Sequence, residues 1–255
     1  MSIMVVQLAN TGILFGADRN ITSQVTLQNG STAIVLTGQS QSPKVLKWPN
    51  QEVIVGYVGQ AELAGISTDQ WLYSFIGSHL QFNHLQDVAD ALTADLNALF
   101  HTFPTEPMVL HLSGFEMDVG QWKPRIFFIR NTTALLPSGA YVVGNQFDCS
   151  EEITQPYYFG ADSGNVIRGK VTFPQYFSFR QGYSLGTFNT IDAALRLSMD
   201  TLVQGGLQPV PTTLTDLADR MKFQIHGYGA YFAAFYTPFE QYVGGGADVV
   251  TAAWP

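Results

Sequence analysis

Charged side chains are scarce in this sequence. Asp, Glu, Lys and Arg together make up 13% of its 255 residues, whereas an average soluble domain contains about 25%. Since 46% of the residues are apolar, much apolar surface must be covered by the core or by neighbouring subunits, and exposed apolar patches usually mark protein contacts. We expect an oligomer, with a poorly charged monomer as the alternative.

Basic residues are fewer than acidic residues. The chain has 12 Lys and Arg against 20 Asp and Glu, which gives a net charge of −8. Nucleic-acid binding depends on basic side chains that neutralise phosphates, and no basic stripe is present in the sequence. We therefore expect no nucleic-acid partner.

Cysteine occurs once, at Cys149, so the chain cannot form an internal disulfide. This fits a reducing compartment. The opening stretch has no cationic region and is interrupted by Gln7 and Asn10, which is typical of neither a secretory signal nor a membrane anchor. We expect a cytoplasmic protein without a membrane partner.

Metal and cofactor motifs are also missing. The five histidines show no spacing typical of metal ligands, and Asp148 beside Cys149 disfavours a nucleophilic thiolate. The glycines at 244–246 lack a following Lys-Ser/Thr and are interpreted as a flexible turn, not a phosphate loop. No metal and no cofactor are expected.

Short apolar runs dominate the first 58 residues. Residues 3–8 and 12–17 flank a short polar turn and predict a β-hairpin. Further strands are predicted at 32–37, 44–48 and 52–58. The first part of the chain should therefore form antiparallel sheet.

The spacing of the apolar residues changes after Gly59. Apolar residues at helical spacing predict two helices between 63 and 99, and strands are predicted again at 108–112, 125–129 and 140–143. The middle of the chain is therefore helix followed by a second sheet.

The last third contains two predicted helices, at 191–203 and 215–225, and an aromatic closing strand at 228–236. Residues 172–190 fit no period and are expected to form a surface excursion or an interface element. Because strands and helices come in blocks rather than in alternation, a layered α+β fold is favoured over a doubly wound parallel sheet.

Three blocks of the sequence resemble the opening of a proteasome β-type subunit. They are 13–22 (ILFGADRNIT), 43–47 (PKVLK) and 53–61 (VIVGYVGQA). In that family an Asp-Arg ends a strand, a lysine opens a later strand, and a Gly-x-x-Gly-x-Ala turn leads into a helix. Here the stretch from Asp18 to Lys44 is longer than usual, so it should contain an extended loop or a hairpin.

The resemblance implies a fold and a position for the nucleophile. The fold is a four-layer αββα sandwich, with two antiparallel sheets flanked by helices. It would be a single N-terminal-nucleophile domain over 1–255, with an insertion or excursion around 172–190. Counting back from Asp18, the nucleophile falls on Ser2, directly after Met1.

An N-terminal serine carries both the hydroxyl and the base that the reaction needs. Its α-amino group has a pKa of about 8 and can accept the hydroxyl proton near neutral pH. The amine must be free, because an acylated nitrogen is not basic. Met1 would therefore have to be removed to expose Ser2.

The other catalytic residues follow from the resemblance. Lys44 would lower the proton affinity of the Ser2 oxygen, and Asp18 would keep Lys44 charged and oriented. The backbone N–H of Gly56 would be the oxyanion donor. Ser163, in a Gly-Ser turn similar to that of the family, would support the amine.

Structural explanations exist for the same residues. A buried Asp–Lys pair can be purely architectural, and a glycine can serve a turn. The family also has a second acidic residue after its fourth helix, in an Asp-x-x-Ser-Gly-Gly turn. At 204–209, where this turn is expected, the sequence reads QGGLQP and the acid is missing.

The expected function is a threonine-type peptidase or amide hydrolase that uses an N-terminal serine. Subunits would form a homo-oligomeric ring, and peptide or protein substrates would be cut through an acyl-enzyme on Ser2. The alternatives are an inactive structural subunit of the same fold and an amidase that acts on a small amide. The sequence does not identify an ATPase partner.

Overall fold

Two antiparallel sheets lie at the centre of the computed structural model of this chain. The structure describes residues 3–9, 11–26, 28, 30, 32–39, 43–100, 107–135, 141–151, 177–182, 185–235 and 243–255.

The first sheet joins the two ends of the chain. Its strands are β1 (Ile3–Ala9), β2 (Gly12–Asp18), β12 (Phe177–Gly182) and β13 (Ala247–Ala253). They are ordered β12-β1-β2-β13 and all pairs are antiparallel. The predicted hairpin between 3–8 and 12–17 is confirmed, with Val6 opposite Phe15.

The second sheet is built from the middle of the chain. Its strands are β5 (Val45–Lys47), β6 (Val53–Val58), β9 (Val109–Asp118), β10 (Gln121–Leu135) and β11 (Tyr141–Glu151). They are ordered β11-β10-β9-β6-β5. Two small hairpins complete the strands: β3 (Asn20–Thr26) with β4 (Thr32–Gln39), and β7 (Glu62–Leu63) with β8 (Ile66–Ser67).

Four helices occur in the described ranges. They are α1 (Thr68–Ser78), α2 (Leu85–Phe100), α3 (Leu185–Gln204) and α4 (Leu214–Phe235). None of these four helices combines the length and the apolar composition that crossing a bilayer requires.

The first sheet is covered on both faces. Ile3 and Val5 of β1 share an apolar cluster with α4, whereas Met4 and Val6 share another with residues of the second sheet. All seven residues of β1 are buried. A strand covered on both faces is expected to be apolar almost throughout, as β1 is.

The second sheet is covered in the same way. Val53 and Val55 of β6 pack with α1 and α2, and Ile54 between them points toward the first sheet. The order of layers is thus helices, sheet, sheet, helices, and the expected αββα fold class is confirmed.

The hairpin β3–β4 occupies the long stretch between Asp18 and Lys44. The extended loop or hairpin expected there is therefore a hairpin. It leaves β2 at Asp18 and returns the chain to Lys44 at the start of β5.

The predicted closing strand at 228–236 is wrong. Helix α4 continues to Phe235, and Tyr228 and Phe232, one helical turn apart, are both fully buried on its inner face. The aromatic content favours a strand, but the four-residue spacing of the buried rings fits a helix. The strand that closes the first sheet is β13 instead.

Part of the stretch 172–190, where a surface excursion or an interface element is expected, forms regular secondary structure. Residues 177–182 form β12, which pairs with β1 from Ile3 to Leu8, and α3 already begins at Leu185. The alternating sequence Phe-Ser-Phe-Arg at 177–180 is a strand pattern. Residues 172–176 and 183–184 lie outside the described residues.

His111 is a polar residue in the core between the sheets. It lies on β9 with 1% of its surface exposed, and its ring contacts Phe15 and Phe128 at centroid distances of 6.4 and 4.7 Å. Burial lowers the pKa of His111 to about 3. The folded protein therefore holds this side chain neutral over most of the acidic range.

His111→Phe should make the protein less sensitive to acid. Between pH values of about 6.5 and 3 the unfolded chain binds a proton at His111 that the folded protein does not. His111 therefore lowers the free energy of unfolding on acidification by up to about 1.4 kcal/mol per pH unit. Urea unfolding at pH 6, 5 and 4 measures the slope, and an unchanged slope in the variant would contradict the assignment.

The turn between β9 and β10 contains a strained residue. Val119 and Gly120 form a two-residue loop with φ values of +46° and +73°, and Val119 is 94% exposed. A turn with two positive φ angles favours Asn-Gly, because a β-branched side chain is disfavoured in the left-handed region.

Val119→Asn should stabilise the protein. The left-handed conformation costs an ordinary residue about 1–2 kcal/mol, and asparagine relieves part of this cost, so we expect a gain of about 1 kcal/mol. Val119→Ala is the matched control, since it removes the β-branch but keeps a Cβ. Urea unfolding at pH 7 measures both, and an asparagine variant less stable than wild type would contradict the turn assignment.

Candidate active site

Asp18 is the centre of the candidate site. Its side chain is fully buried at the end of β2. One carboxylate oxygen accepts the N–H of Ile3 at 2.9 Å, and the other accepts the N–H groups of Gly244 at 3.1 Å and Asn20 at 3.3 Å. The chain therefore supplies backbone donors from three segments to one carboxylate.

Lys44 provides the cation beside this carboxylate. Its Nζ lies 3.5 Å from Oδ1 of Asp18 and donates to the carbonyl of Asn20 at 2.6 Å. Only 6% of its side chain is exposed. The carbonyl of Lys44 accepts the N–H of Tyr57 at 3.1 Å, which fixes its backbone beside β6.

Burial acts on both charged groups. It raises the pKa of Asp18, and Lys44 together with the N–H groups of Ile3 and Gly244 opposes that rise. Burial also lowers the pKa of Lys44, which the Asp18 carboxylate opposes. Each charge is thus maintained by the other, and removing either leaves a buried group without its counterion.

Ser2 and Ser163, two of the predicted catalytic residues, lie outside the described residues. Ser2 is joined by a peptide bond to Ile3, whose N–H donates to Asp18. The structure thus brings Asp18 and Lys44 together with the backbone of the residue that follows Ser2. The roles of Ser2 and Ser163 stay predictions.

Gly56 lies in the middle of β6, between Val45 of β5 and His111 of β9. A Cβ at this position would come within 2.5 Å of Sδ of Met4, so the two sheets can approach here because the residue is glycine. The N–H of Tyr57 points to β5, and since alternate residues of a strand bond to opposite neighbours, the N–H of Gly56 faces β9. Its role as an oxyanion donor stays a prediction.

The turn after the fourth helix is not at 204–209. Among the described residues, 204–209 lie at the end of the third helix, α3, whereas the fourth, α4, ends at Phe235, and Gly244-Gly245-Gly246 directly precede β13. The sequence from 241 to 246 reads QYVGGG.

Gly244 is a site residue that the sequence pattern did not indicate. Its turn was predicted, but the contact of its N–H with Asp18 joins positions 226 residues apart. Local spacing carries no signal for such a contact.

Two of the solved structures similar to this chain are Anbu proteins. The Anbu (Gly-1) mutant from Hyphomicrobium sp. strain MC1 has a TM-score of 0.49 and 14% identity, with 99% of this chain and 82% of that chain covered. Anbu (ancestral beta-subunit) from Yersinia bercovieri has a TM-score of 0.49 and 13% identity, with 98% and 81% covered. No protein-family model and no curated protein matches the chain. A likeness at such identities does not establish a function.

Lys44→Met should destabilise the protein by about 3–5 kcal/mol at pH 7, because it leaves the buried Asp18 carboxylate without a cation. The loss should shrink on acidification, since protonation of Asp18 removes the unpaired charge. Adding Asp18→Asn should not add the full cost of a second substitution, because the two residues form one pair. Urea unfolding measures all variants.

Lys123→Met is the control for this comparison. It removes an ion pair with Asp118 in which both side chains are 54% exposed, and such pairs contribute about 0–1 kcal/mol. Equal losses in the Lys44 and Lys123 variants would contradict the buried pair.

Proposed function

We propose that this protein is an N-terminal-nucleophile amide hydrolase in which Ser2, once Met1 has been removed, attacks peptide bonds. The observation that carries the proposal is the buried Asp18–Lys44 pair, whose carboxylate also holds the N–H of Ile3. A charged pair excluded from water, whose carboxylate binds the residue that follows a candidate nucleophile in sequence, is an arrangement that supports a catalytic site.

The reaction would start at the Ser2 hydroxyl. Its oxygen attacks the carbonyl carbon of the amide, and its proton passes to the α-amino group of the same residue. The C–N bond then breaks, the leaving amine takes that proton, and an ester on Ser2 remains. Water adds to this ester and releases the carboxylic acid, which restores the hydroxyl.

Lys44 would act through its charge. An ammonium group close to the Ser2 oxygen stabilises the negative charge that develops there, and the effect is larger in a buried site than in water. Asp18 would keep Lys44 protonated against the effect of burial and fix its position.

Association of subunits is part of the proposal. Leu197, Leu207, Phe223 and Phe235, on or next to α3 and α4, are between 55% and 76% exposed. Large exposed apolar side chains on one pair of helices favour a contact with another subunit. We propose a homo-oligomeric ring whose substrates are peptides or proteins.

An inactive structural subunit is the second candidate. Aligned on the glycines at 244–246, the Asp-x-x-Ser-Gly-Gly pattern of the proteasome β-type subunits would put Gln241 at its second acid and Gly244 at its serine. A glutamine cannot supply the negative charge of that acid. The same fold would then serve assembly rather than hydrolysis.

A β-lactone probe tests the proposal. The chain would be released from a cleavable N-terminal fusion so that it begins at Ser2, and compared with a chain that keeps Met1. We expect the lactone ring to open on the Ser2 oxygen, adding the full mass of the probe only when the amine is free. The labelling rate should rise through pH of about 8, as the amine loses its proton.

Ser2→Ala and Lys44→Met are the companion variants, analysed by intact mass and peptide mapping. The first should abolish labelling, and the second should lower its rate by about 100-fold or more, as for the loss of one electrostatic donor. Absence of labelling in the chain that begins at Ser2, or labelling that persists in Ser2→Ala, would favour the structural subunit.

A further inference from the structure

We propose that Arg19 is a positioning residue of the candidate site, because it holds Gly244 where its N–H can donate to Asp18. The inference rests on the proposed function for its meaning in catalysis, but the contacts that support it are independent of that function. The segment 243–248 and Arg19 are called the Arg19 clamp below.

Arg19 binds the segment 243–248 at two points. Its own N–H donates to the carbonyl of Gly244 at 3.0 Å. Its guanidinium group binds both carboxylate oxygens of Asp248, with Nε 2.9 Å from Oδ2 and Nη2 2.5 Å from Oδ1. A two-point contact between guanidinium and carboxylate fixes direction as well as distance.

The Arg19–Asp248 contact is partly protected from water. The Arg19 side chain is 40% exposed, but that of Asp248 is 14% exposed. Asp248 of β13 lies opposite Ala17 of β2, and Ala17 directly precedes Asp18. The contact between Arg19 and Asp248 therefore lies next to the position of Asp18 in the sheet.

Gly244 needs such a restraint. It begins three consecutive glycines with φ values of +150°, +72° and +110°, and glycine loses more conformational entropy on ordering than any other residue. A Cβ on Gly244 would lie 3.2 Å from Nδ2 of Asn20, and one on Gly229 of α4 would lie 3.2 Å from the Cα of Gly244. The segment thus fits a narrow space between α4 and the site.

The charged groups around the site allow a second explanation. Asp18 and Lys44 are paired, and Arg19 and Asp248 lie beside them. Burial lowers the pKa of Lys44, and the carboxylates of Asp18 and Asp248 oppose this shift. Arg19 and Asp248 could thus act through space alone. The two explanations predict different results, because removing Arg19 takes away a positive charge and removing Asp248 takes away a negative one.

Amide hydrogen exchange of the full-length protein, followed by NMR, tests the clamp without any need for activity. In Arg19→Gln and in Asp248→Ala we expect the Gly244 amide to exchange about tenfold faster than in wild type, with the Leu112 amide of β9 unchanged. The double variant should be no faster than the single ones, since both remove one contact. Arg19→Lys, which keeps the charge but loses the two-point contact, should be intermediate.

The same variants are then examined with the β-lactone on chains that begin at Ser2. A clamp predicts slower labelling in both single variants, whereas charges acting through space predict that the two pH profiles move in opposite directions and cancel in the double variant. Lys123→Gln is the control for loss of one surface cation. The inference would be overturned if the pH profiles of labelling moved in opposite directions in the two single variants, or if Gly244 exchange were unchanged in both.

The experiments can contradict the hydrolase proposal and the Arg19 clamp separately. If the wild-type chain is not labelled but Gly244 exchange accelerates as expected, the clamp stands and the hydrolase proposal falls. If labelling is normal in Arg19→Gln and Asp248→Ala, Arg19 does not position the site even though hydrolysis occurs.

Discussion

A carboxylate with no access to water is the constraint on which the rest of the structure depends. An isolated buried charge is unstable, so Asp18 must be given donors and a cation by the chain around it. Those partners are Ile3, Asn20, Lys44 and Gly244, and the last is 226 residues away in sequence. The site can therefore form only when both ends of the chain have joined the first sheet.

The two sheets meet at this carboxylate. Asp18 ends β2 in the first sheet, and Lys44 directly precedes β5 of the second, where its carbonyl accepts the N–H of Tyr57 on β6. The ion pair consequently links one layer to the other. A displacement of the sheets would separate the charges, so the packing between the sheets and the electrostatics of the site support each other.

Local patterns predicted most of the fold but only part of the site. The hairpin of β1 and β2 follows from apolar runs around a polar turn. At the end of α4 the aromatic residues favour a strand, and only the spacing of the buried Tyr228 and Phe232 indicates a helix. The resemblance placed Asp18 and Lys44. Gly244 could not be predicted, because its contact depends on how β13 returns to β2 and no local spacing records it.

The energetics of the pair are consistent with the proposed catalytic role. Replacing a buried ion pair by well-packed apolar residues is often neutral or stabilising, so stability alone does not require Asp18 and Lys44. Here the pair is also supported by three backbone N–H groups and by a glycine segment that Arg19 and Asp248 restrain. A chain that needed only a stable sandwich could dispense with this arrangement. A chain that must hold a cation at one point beside Ile3, the residue after Ser2, could not.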